Sequence, residues 1–173
     1  MSEIRIIVKL KAPDPEAITA MSTLRRISPD ICPDGLQRYD HWSFTGPEAD
    51  EGTVREAVSQ FTDIVNPNKQ SWTTFQPGEC PRGPDRSLKW TGVLVSDRVD
   101  SVSENWTRIL RRMDPGIERV RYSVLWLLGF SRDIHDGLAC ERAMSLAVTT
   151  HRDSGLLANP VSQEIELLEV LTT

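Results

Sequence analysis

The sequence predicts an α+β fold built from two similar halves. Two observations carry this prediction: three short landmarks occur twice in the same order, and each half alternates segments of strand period with segments of helix period. A repeated unit of about 80 residues indicates that the halves share one fold and pair as a built-in dimer. The landmarks are Leu24-Arg25-Arg26 with Leu110-Arg111-Arg112, Arg38-Tyr39 with Arg121-Tyr122, and Asn66-Pro67-x-x-Gln70 with Asn159-Pro160-x-x-Gln163.

The first half opens with a strand and a helix. Ile4, Ile6, Val8 and Leu10 alternate with the polar residues Arg5 and Lys9, which is typical of a strand with one buried face. Asp14 is suited to cap a helix and Pro15 to occupy its first position, so we expect a helix to begin there. Pro29 is incompatible with a helix interior and therefore ends it.

Three further elements complete the first half. Residues 36–45 contain several aromatic side chains and are predicted as a strand or a tight hairpin. Thr53 and Glu56 form a capping-box pattern that predicts the start of a second helix, which Asn66-Pro67 is expected to end. Residues 72–75 then form the closing strand.

The second half repeats this order. Ser101 and Glu104 form the capping-box pattern of its first helix. Between the halves, residues 77–88 are rich in proline and glycine and have the composition of a linker. The remaining elements are a strand over residues 90–95, a long strand or hairpin over 117–130, a helix over 137–152 and a last strand over 165–171.

The order of elements in each half fits an antiparallel sheet that two helices cover on one face. We therefore predict two ferredoxin-like repeats, residues 1–76 and 89–173, which form an intramolecular pseudo-dimer around the linker 77–88. A repeat of this size buries too little surface to be stable alone, so a shared core is expected.

Composition excludes several classes of function. The chain has 173 residues and a net charge of −5 without a basic stripe, so it lacks the electrostatics of a nucleic-acid-binding protein. Cys32, Cys80 and Cys140 lack metal-ligand spacing, and an odd number of cysteines without a secretory signal fits a reduced compartment. Apolar runs are too short to span a bilayer. We expect a cytoplasmic protein with no nucleic-acid or membrane partner and no metal or cofactor.

The recurring Arg-Arg and Arg-Tyr pairs are the candidate site residues. Two adjacent arginines could bind a phosphorylated ligand or an acidic face of a partner, but cations in the last turn of a helix also offset the helix dipole. Both interpretations stay open. The candidates for partner or anion binding are Arg25, Arg26, Arg38, Tyr39, Arg111, Arg112, Arg121 and Tyr122.

No catalytic motif is present in the sequence. Asp133-Ile134-His135-Asp136 and His151-Arg152-Asp153 contain acid–base residues, but both segments lie near predicted helix ends, where capping and the helix dipole explain them. We therefore predict no active site of its own for this chain.

Several segments resemble the PurS subunit of phosphoribosylformylglycinamidine synthase. The most specific is Leu156-Leu157-Ala158-Asn159-Pro160-Val161, which precedes the last predicted strand. The opening Val8-Lys9-Leu10-Lys11 strand, the Asp14-Pro15 helix start, the Arg-Arg segment and the aromatic middle strand add to it. The family subunit is roughly as long as one half of this chain, so the resemblance implies a tandem fusion of two subunits.

The resemblance implies a non-catalytic subunit of an ATP-dependent glutamine amidotransferase of purine biosynthesis. PurS subunits associate as dimers and bridge the large synthetase and the glutaminase subunits, helping ammonia to pass between them. A tandem chain would supply that dimer covalently and raise the effective concentration of its halves; further homo-oligomerisation is left open. The alternative is a small-molecule effector-binding module, which predicts a pocket with convergent polar groups at the interface of the two repeats.

Overall fold

The computed structural model of the chain describes residues 1–148 and 155–168. Within these residues it is an α+β protein with four helices and one six-stranded antiparallel sheet, so the predicted fold class is confirmed. No helix in the described part is both long and apolar enough to cross a bilayer. The elements are β1 (Ser2–Leu10), α1 (Pro15–Ile27), β2 (Gly35–Gly46), α2 (Glu51–Gln60), β3 (Gln70–Phe75), β4 (Leu88–Asp97), α3 (Ser101–Met113), β5 (Arg119–Ser131), α4 (Asp136–Ala147) and β6 (Gln163–Leu168). The strand order is β3-β1-β2-β5-β4-β6.

The predicted order of strand, helix, strand, helix and strand is present in both halves. The middle strands β2 and β5 are continuous over 12 and 13 residues, so the hairpin alternative is wrong for both. Helix α4 ends at Ala147, and residues 149–152 of the helix predicted there lie outside the described residues. The same holds for residues 169–171 of the last predicted strand. The ferredoxin-like character of each half stays a prediction.

Two of the predicted helix starts are wrong by a few residues. Helix α2 is capped by Asp50, whose carboxylate accepts a hydrogen bond from the Thr53 amide at 2.8 Å. Helix α3 is capped by Asp100, which accepts from the Ser103 amide at 2.9 Å. In each helix an upstream aspartate supplies the capping oxygen. Thr53 therefore donates its amide to the cap instead of acting as the cap, and Ser101 is the first residue of α3.

The predicted end of α2 is also corrected. The helix ends at Gln60 rather than at Asn66-Pro67. Phe61 leaves the helix in an extended conformation, and its ring packs edge-on against Trp106 at 5.0 Å between centroids. Phe61 is half-buried, and its pairing with Trp106 contributes packing energy at the point where the helix ends.

The third sequence landmark forms the same turn in both halves. In the first half, the Asn66 amide donates to Oε1 of Gln70 at 2.7 Å, and the Gln70 amide donates to the carbonyl of Asn66 at 2.8 Å. In the second half, Asn159 and Gln163 form the same two hydrogen bonds, both at 2.8 Å. The Asn-Pro-x-x-Gln pattern therefore encodes a defined turn that precedes the last strand of each half.

The described structure contains two compact units, and unit 1 comprises residues 1–12, 39–77 and 99–123. Its sheet contains β3, β1 and the adjoining parts of β2 and β5, and β1 pairs with β2 from Ser2↔Gly46 to Val8↔Asp40. Helices α2 and α3 bury their apolar faces together with one face of this sheet. The core includes Ile6, Val8, Trp42, Phe44, Val54, Ala57, Ile64, Trp106, Leu110, Ile117 and Val120.

Unit 2 comprises residues 13–38, 78–98 and the described part of 124–173. Its strand order is the start of β2, then β5, β4 and β6. Helices α1 and α4 supply alanines and leucines to its core, which allows close approach of helix and sheet. The core includes Ala17, Ala20, Leu24, Leu36, Val93, Val95, Trp126, Leu128, Phe130, Ala139, Ala143 and Leu146.

The two compact units do not follow the two predicted repeats, because each unit draws segments from both 1–76 and 89–173. The repeat boundaries thus describe the sequence, and as domain boundaries they stay a prediction. The predicted linker 77–88 is packed in its middle part. Cys80 is 5 % exposed, and a Cβ at Gly83 would stand 2.1 Å from the Trp90 ring. The indole Nε1 of Trp90 also donates to the carbonyl of Asp85 at 2.8 Å.

Candidate functional site

Unit 2 contains an open groove of about 710 Å³ between helix α1 and the start of β2. We call it the α1–β2 groove. It forms because α1 packs its Ala17, Ala20 and Leu24 side on the core, which leaves the neighbouring side of the helix facing the strand that follows it. The lining residues are Pro13, Asp14, Ala17, Ile18, Met21, Ser22, Arg25, Arg26, Asp34, Gly35, Leu36 and Gln37.

Helix α1 forms one wall of the groove. The predicted start at Asp14 is confirmed, since its carboxylate accepts hydrogen bonds from the amides of Glu16 and Ala17. From Asp14, the side chains at Ile18, Met21 and Arg25 follow at intervals of three or four residues and so lie on one helix face. Ile18 is 59 % exposed and Met21 is half-buried, so this wall presents apolar surface to solvent.

The first residues of β2 form the opposite wall. The register of β1 on β2 ends at Val8↔Asp40, and residues 35–37 precede that point. Strand β2 lies between β1 and β5 in the sheet, but residues 35–37 have no β1 partner in this register. Leu36 points to the core and is buried, whereas a Cβ at Gly35 would stand 2.8 Å from the Trp90 ring on the other face. The groove is therefore bordered by the edge of a strand and the side of a helix.

Charged side chains lie at both ends of the groove. At the end where α1 stops, Arg25 and Arg26 are exposed and share this region with Asp34. Burial raises the pKa of the Cys32 thiol, against the effect of Arg25, which forms a hydrogen bond to it. At the end where α1 begins, Arg38 Nε lies 2.8 Å from Glu16, and its Nη1 lies 3.6 Å from Asp14.

The structure brings only some of the predicted site residues together. Arg25 and Arg26 line the groove, and Arg38 closes ion pairs at its other end. Tyr39 is buried, and burial raises the pKa of its hydroxyl. Arg111 and Arg112 are exposed in the last turn of α3 in unit 1 and do not line this groove. The two Arg-Arg pairs, alike in sequence, thus have different surroundings.

The other predicted pair, Arg121-Tyr122, lies where β5 meets β2 in unit 1. The Tyr122 hydroxyl donates to a carboxylate oxygen of Asp40 at 2.9 Å, and its ring packs on Trp42 at 4.8 Å between centroids. On the neighbouring strand positions, Nδ1 of His41 lies 2.6 Å from Oγ of Ser123. We call this group of four polar side chains the β2–β5 seam. The sequence does not predict this group, because it depends on which strands become neighbours.

His41 is a poor candidate for a catalytic base. Burial, together with the positive charges of Arg5 and Arg121, lowers its pKa to about 3. A base of this pKa has little tendency to take a proton from the Ser123 hydroxyl at neutral pH.

The other acid–base segments have structural explanations where the structure describes them. His135 is the N-cap of α4 and accepts a hydrogen bond from the Gly137 amide at 3.1 Å, so this residue, rather than an aspartate, supplies the cap expected at that helix end. Residues 151–153 lie outside the described residues. Within residues 1–148 and 155–168, no three His, Cys, Asp or Glu side chains are grouped to hold a metal ion.

Comparison with known proteins gives no family for this chain: no family model, no curated protein and no solved structure matches it.

Proposed function

We propose that the chain is a non-catalytic scaffold subunit of the PurS type, which bridges the synthetase and glutaminase subunits of phosphoribosylformylglycinamidine synthase and supports ammonia transfer in purine biosynthesis. The α1–β2 groove is the observation that carries this proposal. It offers partner proteins an open apolar surface with two exposed arginines at one end. Such a surface is suited to docking a protein segment, since apolar contact supplies affinity and the charges supply orientation.

Two further observations support the proposal. The order of elements recurs in both halves, as expected of a tandem fusion. The Leu156 to Val161 segment, on which the resemblance chiefly depends, has a structural role here: Leu157 and Ala158 are buried, and Asn159 forms the turn before β6.

The experiment is a reconstitution with the synthetase and glutaminase subunits of the same organism. Size-exclusion chromatography and a glutamine-dependent synthetase assay are run with and without the chain, in the presence of glutamine and ADP for the binding step. We expect a ternary complex whose glutamine-dependent activity requires the chain. Size exclusion also reports whether the chain associates with itself.

Matched charge reversals test the groove. Arg25→Glu with Arg26→Glu should abolish the complex, because the cationic end of the groove is inverted. Arg111→Glu with Arg112→Glu makes the same change of charge in the last turn of α3, outside the groove, and should leave the complex intact. Failure of the native chain to bind either subunit would overturn the proposed function.

A small-molecule effector module is the second candidate, and the β2–β5 seam favours it. The seam joins a strand of each predicted repeat, and among the described residues Nε2 of buried His41 finds no hydrogen-bond partner. Arg5 and Arg121 act electrostatically on the same ring. An anionic effector would fit these charges. Thermal shift assays with inorganic phosphate and with citrate test this: stabilisation that Arg121→Gln removes supports it, and no stabilisation by either anion rejects it.

A further inference from the structure

We propose that the α1–β2 groove binds the carboxyl-terminal segment of a partner protein as an added antiparallel strand, with the terminal carboxylate at Arg25 and Arg26. This inference rests on the proposed function only in taking the groove as the docking site for a partner. Four features of the groove lead to it: a strand edge, a length, a closed end and an apolar floor.

The strand edge comes first. Residues 35–37 of β2 lie beyond the last β1 partner in the register, so this end of the strand is not paired with β1. An edge of this kind pairs readily with an extended peptide through main-chain hydrogen bonds. The side of α1 faces the same space and lines it with side chains. A groove between a strand edge and a helix therefore recognises an extended chain rather than a helix or a compact ligand.

The length of the groove sets the size of the segment. Asp14 and Arg25, at its two ends, are 11 positions apart on α1, which corresponds to about 16 Å at 1.5 Å per residue. On the opposite wall, residues 34–38 of the chain span about 13 Å at roughly 3.3 Å per residue. Both walls thus accommodate four or five residues of an extended peptide.

One end of the groove is closed. Helix α1 and strand β2 follow each other in the chain, and residues 28–34 connect them across the end where Arg25 and Arg26 lie. This connection is folded onto the protein: the Ser28 amide donates to the carbonyl of Leu24, and Ile31 and Cys32 pack against the core. A bound chain cannot continue past this point, so the groove selects a chain that ends there.

The charges fix the direction of the bound segment. A terminal carboxylate placed at the closed end meets the guanidinium groups of Arg25 and Arg26, which form strong charge-assisted hydrogen bonds with carboxylates. Asp34 is the acidic side chain at this end, so two cations face one anion. Because β2 begins at the closed end, a segment that terminates there runs antiparallel to β2, the more stable arrangement of two strands.

The apolar floor predicts the composition of the segment. Ala17, Ile18, Met21 and Leu36 line the middle of the groove. Alternate side chains of an added strand point to the same side, so every second residue of the peptide faces this surface. We expect an apolar residue at the last position and at the third from last, with tolerance at the position between them.

The test uses the whole chain and a library of random heptapeptides displayed with free carboxyl termini. We expect selection of sequences with apolar residues at the last and third-from-last positions. The best heptapeptide is then labelled at its amino end, and fluorescence anisotropy compares its free acid with its carboxyl-terminal amide. The amide should bind at least about tenfold more weakly, which corresponds to 1.4 kcal/mol or more. Equal affinities for the acid and the amide, or no selection above background, would overturn the inference.

Variants locate the binding site. Arg25→Gln with Arg26→Gln should lower the affinity for the free-acid peptide by about tenfold or more and leave the affinity for the amide peptide nearly unchanged. Arg111→Gln with Arg112→Gln should change neither affinity. A loss that is equal for the acid and the amide would contradict a carboxylate contact. These measurements need neither amidotransferase subunit. Peptide binding without subunit binding would therefore reject only the proposed purine-pathway role, and subunit binding without peptide selection would reject only the inference.

Discussion

The Nδ1 atom of His41 lies 2.6 Å from Oγ of Ser123, and this contact joins β2 to β5 across 82 positions of the sequence. The imidazole is 3 % exposed and packs on the Phe75 ring at 5.6 Å between centroids. Its environment is unfavourable for a positive charge, since burial lowers the pKa to about 3 with a further contribution from Arg5 and Arg121. The imidazole of His41 is therefore neutral in the native packing of unit 1.

This contact predicts a loss of stability at mildly acidic pH. The pKa of His41 is about 3 in the folded chain against an ordinary 6.5, so the unfolded chain takes up a proton first as the pH falls. The free energy of unfolding should then decrease below pH 6.5 by at most about 1.4 kcal/mol per pH unit from this group. Urea denaturation at about pH 7, 6 and 5 measures the slope, with His41→Gln expected to show a shallower decline.

His135→Asn is the control for this slope. His135 is an exposed helix N-cap, and asparagine caps helices equally well. The His135→Asn variant measures what a histidine outside the β2–β5 seam contributes to the slope, and the change caused by His41→Gln should exceed it. A native chain and a His41→Gln variant with the same slope between about pH 6.5 and 5 would contradict a buried neutral His41.

Replacement of Ser103 is expected to lower the stability of the contact between α3 and β5. The buried hydroxyl of Ser103 accepts a hydrogen bond from the Tyr122 amide at 2.7 Å and donates to the Asp100 carboxylate, so it connects the start of α3 with β5. Ser103→Ala deprives that amide of this acceptor and should lower the free energy of unfolding by about 1–3 kcal/mol. Ser101→Ala, at an exposed position two residues earlier, should change it by no more than about 0.5 kcal/mol. Equal effects of the two changes in urea denaturation would exclude this role.

Gly46 is predicted to tolerate no side chain. A Cβ there would lie 1.8 Å from the carbonyl oxygen of Gly116. This oxygen belongs to the backbone, so a change of side-chain rotamer cannot relieve the clash. Gly46→Ala should therefore cost about 2 kcal/mol or more. Gly52→Ala is the matched control: it lies exposed in the first turn of α2 with its nearest contact at 3.2 Å, and alanine favours the helix by up to about 1 kcal/mol. Thermal melts should separate the two variants clearly, and similar midpoints would refute the clash.

The sequence was sufficient to predict the order of the elements, because that order depends on local periodicity. The alternation of apolar residues with Arg5 and Lys9 predicts β1, although Ile7 on the other face of the strand is buried as well. Asp14-Pro15 begins a helix in the structure as in the prediction. Helix ends were less predictable. Thr53 with Glu56 fits a capping box, but Asp50, three residues earlier, is an equally suitable cap. In the structure Asp50 caps the helix, because its carboxylate accepts a hydrogen bond from the Thr53 amide.

The candidate site was less predictable, because it depends on strand register. Leu24-Arg25-Arg26 and Leu110-Arg111-Arg112 share a helix end, and the residue four positions after each leucine donates its amide to that leucine's carbonyl in both halves. Of the two pairs, Arg25-Arg26 lines the α1–β2 groove and Arg111-Arg112 does not. Residues 35–37 extend past the last β1 partner at Asp40, and β5 likewise extends past its last β4 partner at Val124. In the second half, however, Thr107 and Ser103 of α3 form hydrogen bonds with the main chain of Val120 and Tyr122 on that part of β5. Such an overhang results from long-range pairing, which local sequence patterns do not specify.

Cys80, in the segment between the predicted repeats, is expected to be protected from alkylation in the native chain. Burial raises the pKa of its thiol to about 12, with a contribution from Cys140. The thiolate is the reactive form, so at pH 8 the fraction available for alkylation is more than about a hundredfold below that of an unfolded cysteine. Iodoacetamide labelling followed by peptide mass spectrometry should find Cys80 protected in the native chain and fully labelled in denaturant. Cys32 and Cys140, both half-buried, serve as internal references for reagent access. A solvated linker would expose Cys80 and give it the same rate in both conditions, whereas protection would show that residues near Gly83 and Trp90 fold as part of unit 2.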